Sequence, residues 1–71
     1  MALAEIVLQI EGMSCQHCVR SVRAALQGLA GVRSAEVSLS GKKAVVSYDP
    51  GQVTVEKMKE AVEAAGYEVV G

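Results

Sequence analysis

Gly12-Met13-Ser14-Cys15-Gln16-His17-Cys18 holds both cysteines and the only histidine of the chain, and it separates two different apolar patterns. On its N-terminal side, Leu3 to Ile10 alternates as a strand does, with Ile6, Leu8 and Ile10 on one face and Glu5, Val7 and Gln9 on the other. On its C-terminal side, Val19, Val22, Leu26 and Leu29 recur at spacings of three and four, the buried stripe of a helix. The thiols therefore fall on a strand-to-helix turn, Cys15 in the loop or at the helix edge and Cys18 in the first turn. The first N–H groups of a helix have no partner within it and carry partial positive charge. A thiol placed there ionises readily, and the thiolate is the form that binds metal or attacks disulfides.

Outward from this turn the rest of the chain falls into place. Met1 to Ala4 is expected to fray, leaving Glu5 to Glu11 as the strand proper, and Gly12 breaks it. Ser14 is the expected N-cap of the first helix, its hydroxyl accepting from an orphan N–H. The helix should run to about Leu29, with Gly28 and Gly31 marking its end. Val32 to Leu39 alternates as a second strand, and Ser40-Gly41-Lys42 turns it into a third, Lys43 to Tyr48. Asp49-Pro50-Gly51 stops that strand. Thr54 caps a second helix with Glu56 in its first turn, and Val55, Met58, Val62 and Ala65 repeat the apolar stripe. Gly66 closes the helix, and Tyr67 to Val70 forms a last short strand. The order strand, helix, strand, strand, helix, strand fits an α+β sandwich: a four-stranded antiparallel sheet with both helices on one face, the ferredoxin-like split β-α-β arrangement. Residues 1–71 read as one domain.

Composition narrows the function. Seven basic and eight acidic residues give a formal net charge of −1, which argues against nucleic acid as the primary ligand. Apolar residues make up 51% of the chain, enough for a small core, yet only two Tyr and neither Phe nor Trp contribute to it. An apolar run of about 18 residues, long enough to span a bilayer, is lacking, as is a basic segment leading into an apolar stretch. The chain reads as a mature cytoplasmic protein that does not insert in a membrane. Two cysteines three positions apart close too short a loop to staple a fold. In a reducing compartment that leaves metal binding or redox work.

Gly12-Met13-x-Cys15-x-x-Cys18 resembles the metal-site motif of heavy-metal-associated domains. The resemblance extends to the Gly31-Val32 pair after the first helix, to Tyr48-Asp49-Pro50 and to Gly66-Tyr67, and so covers nearly the whole chain. Cys-x-His-Cys together with Tyr67 looks most like the bacterial cytosolic copper chaperones. That resemblance implies a carrier rather than an enzyme, one that binds Cu(I) and passes it to a copper-transporting P-type ATPase by thiolate exchange. The chemistry of the residues agrees, since Cu(I) is soft, favours thiolates and accepts few ligands. Structural zinc usually takes four. Ag(I), Hg(II) and, in vitro, Zn(II) are further ions the pair admits. The chain is expected to be monomeric without metal, and an open two-sulfur site lets copper bridge two copies through four thiols.

Individual residues carry competing readings. Cys15 and Cys18 are the metal ligands, against a redox dithiol as the alternative. His17 precedes Cys18 by one position and points elsewhere on a helix, so it tunes the site as a neighbour, with direct ligation as its alternative. Met13 packs between strand and helix, as the resemblance also implies, and Ser14 caps. Tyr67 is either plain core or, as the resemblance implies, a hydroxyl close to the sulfurs. Arg20 and Arg23 form a solvated helix face or steer docking onto an acidic partner. Three other identities stay open: an excised N-terminal domain of such an ATPase, a mercury-binding carrier, and a thiol-disulfide redox protein.

Overall fold

Alternation and stripe produce the expected elements in the expected order. The computed structural model describes residues 3–70, so Met1 and Ala2 of the segment expected to fray, and Gly71, lie outside the described residues. The elements are β1 (Ala4–Glu11), α1 (Gln16–Gln27), β2 (Val32–Ser38), β3 (Lys43–Tyr48), α2 (Val55–Ala64) and β4 (Glu68–Val70). The four strands form one antiparallel sheet in the order β2-β3-β1-β4. β1 and β3 fill its centre and align Ile6 with Val46 and Leu8 with Ala44.

One face of that sheet is closed by both helices. Val19, Val22 and Leu26 from α1, and Met58 and Val62 from α2, share a core with Leu8, Ile10, Ala35, Ala44 and Val46. Val22, Leu26, Met58 and Val62 are wholly removed from water. Each such side chain contributes about 1.5–3 kcal/mol by its burial, which matters in a domain this small. Among the described residues no polar or charged side chain is buried with them. The other sheet face meets solvent, and Val7 is half exposed there beside Glu5 and Gln9. Among the described residues, no helix is long and apolar enough to cross a membrane.

The structure departs from the sequence reading in several local respects. Ala4 belongs to β1 because it pairs with Tyr48 across the ladder. α1 ends at Gln27 rather than Leu29: Gly28 N–H donates to Ala24 O at 3.0 Å, and Leu29 N–H to Leu26 O at 3.1 Å, tightening the last turn. β2 stops at Ser38, and Leu39 opens the turn. Within β2 the register jumps, Val32 opposite Tyr48 but Ser34 opposite Ser47. Arg33 is thus an extra residue, and the bulge lets Val32 and Ala35 both turn toward the core. The left-handed residue of the β2–β3 turn is Lys42, at φ 52°, not its glycine neighbour.

Gly31 secures the junction between α1 and β2. Its φ is +98°, and a Cβ there would come within 2.7 Å of Gln52 Cβ and 3.1 Å of Val53 Cγ1. Its carbonyl accepts from Asp49 N–H at 2.7 Å, tying the end of β3 to the start of β2. Thr54 caps α2 as expected, its hydroxyl accepting from Lys57 N–H at 3.2 Å.

Candidate metal centre

The thiols are placed by what happens between β1 and α1. Gly12, at φ +99°, turns the chain out of β1. Met13 then drops into the core, 8% exposed, and anchors the loop from beneath. The chain rises again through Ser14 to Cys15, whose extended backbone (φ −158°, ψ 172°) makes it the N-cap of α1. The Cys15 carbonyl accepts from Cys18 N–H at 3.1 Å and Val19 N–H at 3.2 Å, which opens the helix and fixes Cys18 in its first turn. Ser14 is therefore not the cap. It sits one residue too early, and α1 begins without any side-chain capping bond. The Ser14 hydroxyl instead lies 3.9 Å from Cys18 Sγ.

Cys15 Sγ and Cys18 Sγ are 3.7 Å apart, and both thiols are free. Cys15 is exposed and Cys18 half-buried. The Cys18 thiol is lowered from its ordinary 9.0 to about 6. The Ser14 backbone N–H donating to the sulfur is the main cause, and the Tyr67 hydroxyl is the next. Partial desolvation works against both, while the Cys15 and Ser14 side chains add smaller stabilisation of the thiolate. Tyr67 moves the opposite way. Its hydroxyl is held above the ordinary 10.0, first by donating to Cys18 and then by desolvation, and the Ser21 hydroxyl opposes the rise.

Tyr67 reaches this loop from the far end of the sequence. Its N–H donates to Val62 O at 3.2 Å, which folds the end of α2 back toward the sheet. The β1–β4 ladder then pairs Glu11 with Glu68, and Tyr67 follows beside Gly12. The Tyr67 ring carbon Cδ1 lies 3.5 Å from where a Cβ on Gly12 would stand. Ser21, which the sequence reading passed over, lies one helical turn beyond Cys18 and donates to His17 O at 3.1 Å. Its spacing of three from Cys18 was the available signal, since residues three and four apart share a helix face.

Other sequence candidates stand apart from the sulfurs. His17 is exposed, as are Arg20 and Arg23 farther along α1. Among the described residues no group of three or more His, Cys, Asp or Glu converges to hold a metal ion. What the structure brings together is Cys15, Cys18, Ser14 and Tyr67, with Met13 beneath.

The sequence pattern of the heavy-metal-associated domain matches residues 7–68. The chain belongs to the heavy-metal-associated domain family. Within it, a protein named copper chaperone CopZ from Staphylococcus haemolyticus (strain JCSC1435) is 52% identical over 63 residues, 89% of this chain and 93% of that protein. A solved CopZ metallochaperone superposes with a TM-score of 0.92 at 45% identity, covering 94% of this chain and 100% of the other. The N-terminal domain of a potential copper-translocating P-type ATPase from Bacillus subtilis, solved in its Cu(I)-loaded state, gives 0.91 at 31% identity over 96% of this chain and 85% of that one.

Proposed function

We propose that this heavy-metal-associated domain is a cytoplasmic copper chaperone, a carrier and not an enzyme, in which Cys15 and Cys18 hold Cu(I). The observation that carries the reading is the sulfur pair: two free thiols 3.7 Å apart on an exposed helix start. With a thiolate–metal bond of about 2.3 Å, as for zinc, sulfurs 3.7 Å apart need to part by only about 0.9 Å to stand on opposite sides of one ion. A soft, low-coordinate cation such as Cu(I) is satisfied by that donor set. Two thiolates around a monovalent ion leave one negative charge, which the N-terminus of α1 favours. The 52% identity to a copper chaperone supports copper as the cargo.

Transfer follows from the same openness. Cys15 is exposed, so a thiolate of a partner can join the ion before one of this chain's sulfurs leaves, and the metal is never free. The partner is the metal-binding domain of a copper-transporting P-type ATPase, a reading supported by the likeness to such a domain. Arg20 and Arg23, exposed farther along α1, steer docking onto acidic groups of that partner. Ser14 and Tyr67 stabilise the Cys18 thiolate, Met13 anchors the loop and His17 modulates it from the solvent side. The domain is monomeric without metal and can pair through a copper shared by four sulfurs. Ag(I) and Hg(II) fit the same donors, and Zn(II) binds less well for want of ligands.

The test is an anaerobic Cu(I) competition titration against a chromophoric chelator, with Zn(II) alongside. Tight Cu(I) binding, preferred over zinc and lost in the Cys15→Ser/Cys18→Ser double variant, is the expected result. Binding retained by that variant would sink the assignment, and a zinc preference would move His17 among the ligands. Disulfide-reductase turnover in place of tight Cu(I) binding would turn the reading to redox work.

A further inference from the structure

We propose that Gly12 is a positioning residue for Tyr67: the missing side chain and left-handed backbone at residue 12 let the Tyr67 ring lie over the metal loop with its hydroxyl toward Cys18. The inference deepens the carrier reading and rests on it. Three observations converge. The antiparallel ladder pairs Ile10 with Val69 and Glu11 with Glu68, so its continuation sets residue 12 against residue 67. At that point the backbone of Gly12 has φ +99°, a conformation an L side chain rarely takes. The Tyr67 ring stands 3.5 Å from the place a Gly12 Cβ would fill, ordinary contact distance, so a Cβ alone fits and a longer side chain would meet the ring.

The consequence is mechanical. With residue 12 bare, the ring seats against the backbone of the β1–α1 loop, and its oxygen is carried toward Cys18 and Ser21 on α1. A substituted residue 12 prefers φ below zero, and relaxing toward it swings the loop on which Ser14 and Cys15 follow. The ring and the thiol then lose their common register. Gly12 is not itself a ligand; of its two routes to the site, through the loop and through the ring, only the second closes when Tyr67 is already Phe.

That dependence is what the experiment reads. Gly12→Ala, Tyr67→Phe and the double variant are compared for the rate at which Cu(I) passes from the loaded protein to a chromophoric chelator. A second set is built in a Tyr48→Phe background, where Tyr67 is the only fluorescent side chain because the chain has no Trp. Gly12→Ala should change the release rate in the same direction as Tyr67→Phe, and should add less than about twofold once Tyr67 is already Phe. In the metal-free single-tyrosine protein, Gly12→Ala should change Tyr67 emission, because the ring leaves its seat by the loop, and should make it more accessible to acrylamide. If Gly12→Ala does not fold, Gly12→Asn carries the test, since Asn tolerates left-handed backbone while adding a side chain under the ring. Release effects that multiply independently, or unchanged release and emission in the Gly12 variants, would overturn the proposal. A wild-type protein that takes up no Cu(I) refutes the carrier reading alone; the emission measurement, which needs no metal, then decides the role of Gly12.

Discussion

Replacing Tyr67 with Phe tests how the site keeps its inner sulfur ready for metal. With the Cys18 thiol lowered from 9.0 to about 6, roughly nine-tenths of the protein carries the thiolate at neutral pH, against about one per cent for an ordinary cysteine. A metal arriving at neutral pH therefore displaces almost no proton from Cys18. Tyr67→Phe removes the second-largest cause of the shift and keeps the largest, the Ser14 N–H. The inflection should accordingly rise from about 6 yet stay below 9.0. Brief alkylation across a pH series, read by mass spectrometry at each cysteine, follows Cys18 in the intact dithiol. A wild-type inflection near 9.0, or one that does not move in Tyr67→Phe, would refute the reasoning. The linkage to folding has a definite sign. A thiol lowered in the native state stabilises the fold fully above the unfolded value of 9.0, progressively less as pH falls, and not at all below about 6. Denaturant titrations at either end of that window should differ in this direction, and in Cys18→Ser the difference due to this thiol should vanish.

Further outcomes follow from packing, caps and surface charge. Leu26→Ala, at a wholly buried position of α1, should cost about 2–5 kcal/mol in urea unfolding. Thr54→Ala should cost about 1 kcal/mol by removing the cap of α2, whereas Ser14→Ala, which caps nothing, should stay within about 0.5 kcal/mol of wild type. Thermal or urea melts of the two, run side by side, check the reassignment of Ser14. Reversing the charge of Arg20 and Arg23 together should slow copper transfer to an ATPase metal-binding domain and flatten its dependence on salt, as stopped-flow transfer would show. An unchanged rate would return both arginines to plain solvation.

Much of the fold was legible because its signals are local. In Lys43 to Tyr48, Ala44, Val46 and Tyr48 fall on one face, and the structure begins and ends β3 at those residues. The stripe of Val19, Val22 and Leu26 fixed which face of α1 is buried. Legibility failed where a residue's role depends on backbone geometry or on distant chain. Arg33 reads as an ordinary strand residue, and only the pairing with β3 reveals the bulge. Ser14 has good cap chemistry, but Cys15 takes the extended conformation that defines the position, and a thiol accepts poorly there. In the site, the spacing of Cys15 and Cys18 was visible at once. The approach of Tyr67 was not, because β4 must first pair with β1, and only the resemblance to related domains pointed to it. The spacing of Ser21 puts it on the helix face of Cys18, but its tie to Tyr67 was hidden for the same reason.

The two helices are secured unequally at their starts, and the difference bears on how cargo leaves. α2 opens on the Thr54 hydroxyl, while α1 opens on Cys15 with no side chain bonded to its first N–H groups. An absent cap is worth about 1 kcal/mol, so the first turn of α1 should unravel about five times more often than a capped one. Val19 already holds the end of that turn to the core, and Val22 and Leu26 pin the rest of α1, so the loosening is confined to the residues around Cys15. Cys15, the exposed sulfur, thus stands at the loosest point of the helix start, while Cys18 stays packed against the core beside it. Releasing an ion from such a pair asks for a local loosening on one side and leaves the remainder of the molecule folded, ready to be loaded again.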